Sequence, residues 1–249
     1  MKSKLEEAFE NYVKNFDFNE EKIRLKHYHS YRVRDLMVKL ATALKLSDKE
    51  IEVAEVIGLL HDIGRFEQVK ETGSFSDIKT GIDHADESCI YLFDKGHIKD
   101  FYDDENYYEI IKDAIKNHNK YVIDDKVIGK NLLFSKMIRD MDKVDIFRVI
   151  REGYIFEFDK NDVSLDVLNE FNKEQSIETI LLKTKSDRVY TSLAFIYDIN
   201  FKESFKILKE SKYFDNVFAI INAKDDSKQE LENIKNKLNN YIDKKIETN

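Results

Sequence analysis

The chain has 249 residues, 42% of them apolar and 36% charged, with a formal net charge of −8. That length supports a sizeable buried core, the composition is that of a globular protein with a solvated surface, and the acidic balance argues against non-specific nucleic-acid binding. Cys89 is the only cysteine, which excludes an intramolecular disulfide and makes the cytosol the expected compartment.

The first segment, "MKSKLEEAFENYVKNF", carries acidic residues where a signal peptide would be apolar. No run approaches the ~20 apolar residues of a membrane span. Proline is absent and glycine occurs seven times, a pattern of long helices joined by polar loops. Helical periodicity predicts helices over 29–45, 48–61, 83–95, 104–118, 129–149, 163–171, 187–198, 202–210, 212–222 and 227–245. Ser47 to Glu50 reads as a capping box for the second of these, and Asp83 as the N-cap of the third, which Gly96 closes. "GYIFEF", Gly153 to Phe158, alternates in the manner of a short strand. Glu71 to Ile82, "ETGSFSDIKTGI", is the least regular stretch and follows His61-Asp62 closely, where an irregular loop tends to carry function. The expected class is all-α. Residues 161–249 are expected to form a C-terminal helical extension packed on residues 1–160 as one structural unit.

Several polar residues sit where these helices should be apolar. His29 opens a stripe with Val33, Leu36, Leu40 and Leu44. His61 ends one with Val53, Ala54, Ile57 and Leu60, and His118 lies above Ile111, Ala114 and Ile115. Asp142 shares a face with Phe134, Ile138, Met141 and Asp145. Asp140, about 200° away round the helix, reads as a solvated charge. Asp62 stands about 100° from His61 and can reach a shared point from the edge of its stripe. Burying a histidine and a carboxylate without partners costs several kcal/mol. A common divalent cation held by His29, His61, Asp62 and Asp142 would offset that cost. His84 and His118 come from the next two helices. They would complete a second site with Asp62 bridging, two metals roughly 3.5–4 Å apart, unless His84 only hydrogen-bonds a ligand or caps its helix.

His29 in "HYHSYRV", the doublet in "LLHDIGRFEQ" and Asp142 in "RDMDKVDIF" resemble the H…HD…D order of the HD superfamily of metal-dependent phosphohydrolases. "DIKTGIDHADES" and "IKNHNKY" are similar to a bacterial branch with two added histidines, here His84 and His118. "HDIGR" also resembles the "HDIGK" of the HD-GYP cyclic-dinucleotide phosphodiesterases, but the GYP motif is missing and Asn119 follows His118 where a second histidine belongs. The resemblance runs from about residue 25 to 150. It implies an all-α, metal-binding core of about five helices, within 1–160, around one or two metal ions. The implied chemistry is hydrolysis of a phosphate ester or anhydride, commonly of a nucleotide. His29, His61, Asp62 and Asp142 then correspond to the first metal's ligands, and His84 and His118 to the second's.

For such chemistry the expected catalytic set is Asp62, Arg65 and Asp145. Arg65 is the first choice for a phosphate-facing cation, one short turn after the doublet, and Asp145 would orient a histidine or act as a base toward water. Arg32, Lys79 and Lys143 are further substrate-binding candidates. Imidazole and carboxylate ligation without thiolate suits Mn, Fe, Ni, Co or Zn, while an all-oxygen preference would favour Mg. Cys89, His27 and His97 are not counted as ligands. The expected partner is a small phosphorylated substrate, with no membrane and no stable nucleic-acid partner. The stripe Leu231, Ile234, Leu238 and Tyr241 either packs back on the domain or forms a homodimer seam. Two other readings compete with the hydrolase: an HD-type di-iron oxygenase, and a catalytically silent nucleotide-sensing module.

Overall fold

The computed structural model describes residues 3–153 and 156–248, and they form two compact units, one ending at Met141 and one beginning at Asp142. The expected division at residue 160 falls well after this boundary, which lies inside a helix. In the first unit the order is α1 (Lys4–Val13), α2 (Glu21–Ala43), α3 (Asp48–Leu60), α4 (Gly64–Thr72), α5 (Asp77–Thr80), α6 (His84–Cys89), α7 (Ile98–Phe101), α8 (Tyr108–Asn117) and the start of α9 (Gly129–Gly153). In the second unit, after the remainder of α9, come β1 (Phe156–Phe158), α10 (Leu165–Asn172), α11 (Lys185–Ala194), α12 (Lys202–Ser211), α13 (Tyr213–Val217), β2 (Ile221–Ala223) and α14 (Lys228–Glu247). The all-α class holds, apart from one short two-stranded pair.

Helix α1 was not among those read from periodicity, although Leu5, Phe9, Tyr12 and Val13 give it a buried stripe and Ser3 with Glu6 a complete capping box. The Tyr12 hydroxyl donates to the Ile63 carbonyl at 3.0 Å, and Phe9, Tyr12 and Phe16 surround the Phe66 ring. The N-terminal helix therefore braces the turn that carries His61 and Asp62.

The long antiparallel neighbours α2 and α3 set the geometry of the unit. At Gly58 an added Cβ would lie 2.6 Å from the Arg34 Cα, so the two backbones touch where only glycine fits. A second close approach joins α4 to α6. A Cβ on Gly64 would stand 2.6 Å from both the His84 carbonyl oxygen and the Ser88 amide nitrogen. The fully buried Ser88 hydroxyl accepts from the Gly64 amide at 2.9 Å and lies 3.1 and 2.8 Å from the carbonyl oxygens of His61 and His84. The sequence cue for α6 is sound: Asp83 caps it by accepting from the Ala85 and Asp86 amides, and Gly96 adopts the left-handed conformation after a π-helical turn at Ile90–Asp94.

At the far side of this unit, the buried Arg139 of α9 donates to the carbonyl oxygens of Asn117 at 3.0 Å, Tyr121 at 3.2 Å and Lys120. A guanidinium on the last carbonyl of α8, that of Asn117, and on two carbonyls just beyond it offsets the negative end of that helix next to His118.

In the second unit β1 and β2 run parallel, with Phe156 opposite Ile221 and Phe158 opposite Ala223. Part of the expected strand, Tyr154 and Ile155, lies outside the described residues. The helix expected over 212–222 stops at Val217, because Ile221–Ala223 is taken by this pairing, a tertiary override of local periodicity. Asp187 accepts from the amides of Ser164, Lys183 and Thr184 at 2.8–3.0 Å and from the Ser164 hydroxyl, tying two loops to the start of α11. On α14, Ile234, Leu238 and Ile242 are buried and Tyr241 packs on Tyr197 and Phe205 of the same unit. Among the described residues no helix is long and apolar enough to cross a membrane.

The contact at Gly64 yields a direct test. Gly64→Ala forces a methyl against two backbone atoms and is expected to lower unfolding stability by about 1–3 kcal/mol in urea titrations; an unchanged midpoint would show that α4 and α6 can move apart.

Candidate metal centre

Four imidazoles and one carboxylate meet inside the first unit, each delivered by a different local device. His29 projects from the middle of α2 and is 1% exposed. His61 is the C-cap of α3, and its Nδ1 lies 2.9 Å from the Gly58 carbonyl oxygen, one turn back. Asp62 follows at once and is 2% exposed. His84 opens α6, where its Nδ1 meets Asp77 Oδ2 at 2.6 Å. His118 caps α8, with Nδ1 2.7 Å from the Ile115 carbonyl oxygen. At His61, His84 and His118 the Nδ1–H is therefore donated to a fixed oxygen, which leaves the lone pair on Nε2.

Those Nε2 atoms converge on Asp62 in two pairs. His29 and His61 stand 3.5 and 3.4 Å from Oδ2, while His84 and His118 stand 3.3 and 3.6 Å from Oδ1. Within each pair the nitrogens face each other, at 3.3 Å for His29 and His61 and 3.0 Å for His84 and His118. At His84 and His118, where both Nδ1 atoms are engaged, two buried lone pairs at 3.0 Å repel unless a positive charge lies between them. Protons supply it poorly at His84, because burial pushes its pKa down to about 4 despite the nearby Asp77 and Asp62 carboxylates. Asp62 behaves oppositely. Burial alone would raise its pKa, but the Lys26 ammonium and the facing imidazoles hold it well below the usual carboxylate range. Its Oδ1 is buried with no hydrogen-bond partner among the described residues.

An orphaned carboxylate oxygen and paired imidazole nitrogens are the donor set of a divalent cation. The groups His29, His61, Asp62 and Asp62, His84, His118 each bring their donor atoms within 4.8 Å of one another, so the residues fit two cations sharing Asp62. Asp77, Asp83 and His84 also cluster, but both of these carboxylates are engaged elsewhere. Asp77 accepts from Arg65 and Gln68, and Asp83 caps α6 and accepts from Asn119 and Lys120.

The other candidates are placed less uniformly. Arg65 does not point its guanidinium outward to await an anion: Nη1 donates to Asp77 Oδ1 at 2.6 Å, the Phe75 carbonyl at 2.5 Å and Gln68 at 2.7 Å, and its Nε lies 3.7 Å from Asp62 Oδ1. The cause is Asp77, a nearer fixed charge. Lys79 is exposed on α5, and Arg32 is half-buried one turn after His29. Asp142 is half-buried on α9 and is the first residue of the second unit. Within that unit Asp145 pairs with Arg148 at 3.0 Å and Lys143 with Asp198 at 2.7 Å. Asp140, expected to be solvated, is fully buried, because α9 has no continuous exposed face there: Arg139, Met141, Val144 and Asp145 are buried too. Cys89 lies 3.7 Å from the Lys112 carbonyl, and burial pushes its thiol up to about 12. His27 pairs with Glu10, and His97 is half-buried beside Asp100.

Three participants were not read from the sequence. Lys26, on Asp62, lies three residues before His29 on the same helical face, a usable signal. Asp77 and Asn119, around His84, come from irregular segments that no periodicity marks.

Residues 27–146 match the family model of the HD domain. No curated protein and no solved structure was found to match the chain.

Two outcomes follow from the histidine environment. Asp77→Ala removes the acceptor that fixes His84 and is expected to weaken divalent-metal binding by about 10–100-fold in calorimetric titration, whereas unchanged affinity would make Asp77 incidental to the centre. In chelator-treated protein, His84 binds a proton more readily unfolded, near its ordinary 6.5, than folded, near 4. Stability is then complete above pH 6.5 and declines as pH falls toward 4, with a shallower decline in His84→Gln; identical slopes in the two proteins would contradict this.

Proposed function

As the chain belongs to the HD superfamily through residues 27–146, we propose that it is a metal-dependent phosphohydrolase acting on a small phosphate ester or anhydride, nucleotide-like in kind. The observation that carries this reading is the convergence of four imidazole Nε2 atoms on the two oxygens of Asp62. His29 and His61 would hold one ion and His84 and His118 the other, with the two oxygens of Asp62 available to both. Asp142 is proposed as a further ligand from its place in the H…HD…D order. A divalent metal bound there brings the pKa of a coordinated water toward neutrality and draws off the charge that develops on phosphoryl oxygens; Mn, Fe, Ni, Co, Zn and Mg are the candidates.

The protein's own part is to hold the donors and limit water. The four histidines and Asp62 are 0–3% exposed, so charges in the centre interact with little solvent screening. Asp77 keeps His84 in the tautomer that offers Nε2, and the Gly58 and Ile115 carbonyls do the same for His61 and His118. Arg65, tied to Asp77, stiffens this arrangement.

Phosphate release from a panel of nucleotides and phosphate esters, with Mn, Co, Ni or Mg added, tests the proposal. Metal-dependent turnover is expected, with a loss exceeding about 100-fold in Asp62→Ala, since removing a direct ligand should exceed the effect of its supporting residues. Dioxygen consumption by iron-loaded protein without phosphate release would favour the oxygenase, and ligand binding with no turnover would leave a sensing module.

A further inference from the structure

Lys26 lies on α2 one turn before His29, one residue ahead of the segment that matches the HD family model. Its side chain is 14% exposed, and its ammonium is paired with Asp62 Oδ2. It stands 5.4 Å from the centre of the Phe75 ring, in the segment between α4 and α5. The guanidinium of Arg65 lies over the same ring at 5.9 Å, but its Nη1 is committed to Asp77, Gln68 and the Phe75 carbonyl. Two cations thus border Asp62, one braced on three sides and one held by Asp62 itself.

The oxygen that holds Lys26 is the one that His29 and His61 face at 3.5 and 3.4 Å. A divalent cation taken by those imidazoles would draw on the same carboxylate charge and repel the ammonium. Lysine carries a compact charge on a flexible four-carbon stem, so it can turn away while its base stays fixed in the helix. An anion that offers oxygens both to the metal side and to the ammonium would resolve the repulsion, and a phosphate group has the charge and the oxygens to do so.

We propose that Lys26 is the phosphate-binding residue of this centre, exchanging Asp62 for a substrate phosphate oxygen when metal is bound. Metal and phosphate binding are then coupled through this side chain. The proposal rests on the phosphohydrolase reading of the same centre, yet can fail separately from it.

Calorimetric titrations of the full chain with Mn²⁺, and of the Mn²⁺-loaded protein with inorganic phosphate, test it in wild type, Lys26→Met and Lys26→Arg. Lys26→Met should bind Mn²⁺ at least as tightly as wild type, because a competing cation is gone. Its phosphate affinity should fall about tenfold or more, the loss of one charge-assisted hydrogen bond, and Lys26→Arg should recover most of it. Mn²⁺ binding weakened together with phosphate binding would make Lys26 a structural brace, and phosphate affinity equal to wild type would remove its role; either result overturns the proposal. If Lys26→Met does not fold, Lys26→Gln, which keeps a donor toward Asp62 without the charge, carries the same comparison. Wild type that takes up no Mn²⁺ overturns the phosphohydrolase reading and this proposal together. Mn²⁺ uptake with phosphate affinity unaffected in the uncharged variants removes this proposal alone.

Discussion

A buried carboxylate shared by two pairs of imidazoles is the constraint around which the first unit is organised. Asp62 is almost wholly removed from water, and an isolated carboxylate there would cost several kcal/mol. Its neighbours do not relieve that cost by hydrogen bonding alone, since Oδ1 has no hydrogen-bond partner among the described residues and three of the four facing histidines have donated their Nδ1 protons elsewhere. Positive charge has to be supplied. Lys26 supplies one part from the helix that carries His29, and the spacing of the donor atoms suits divalent cations for the rest.

Holding five donor side chains in place demands helices that cannot drift. Gly58 lets the backbone of α3 press on that of α2, which brings His61 to His29. Gly64 and Ser88 do the same for α4 and α6 and bring His84 to Asp62. Arg139 closes the C-terminal end of α8, next to His118. The two glycine contacts join elements backbone to backbone, and Ser88 and Arg139 tie side chains to the backbone of a neighbour, where displacement is least tolerated. Tyr12 and the aromatic cluster around Phe66 then brace the short turn between the doublet and α4. Much of the unit's packing can be understood as support for one carboxylate.

How much of this was legible in the sequence depended on whether a residue lay on a periodic element. His29, His61 and His118 announced themselves by interrupting apolar stripes, and Asp62 by adjacency; the helices that carry His61 and His118 formed close to the expected bounds, whereas α2 begins at Glu21, eight residues before the expected start at His29. The cap at Asp83 was legible because a carboxylate just ahead of a helical segment has a local purpose, accepting from its first amides. Asp77 was not, since nothing in "SDIKT" distinguishes a carboxylate that orients a histidine from a solvated one. Arg65 was assigned to substrate for its nearness to the doublet, but a neighbouring fixed charge from the following loop claims it. Asp140 failed for a different reason: helical phase tells which residues share a face, not how many faces a helix buries. Ile221–Ala223 lost its helix to a strand partner more than sixty residues away, a contact no local pattern encodes.

The number of metal ions bound per chain bears most directly on the shared-carboxylate account. Elemental analysis by mass spectrometry of metal-saturated, desalted protein should find about two equivalents of divalent metal in wild type, and about one in His29→Ala and in His84→Ala, since each variant breaks only one of the two imidazole pairs on Asp62. A single equivalent in wild type that survives His84→Ala would leave the second pair without a metal. No bound metal at all would contradict the account outright.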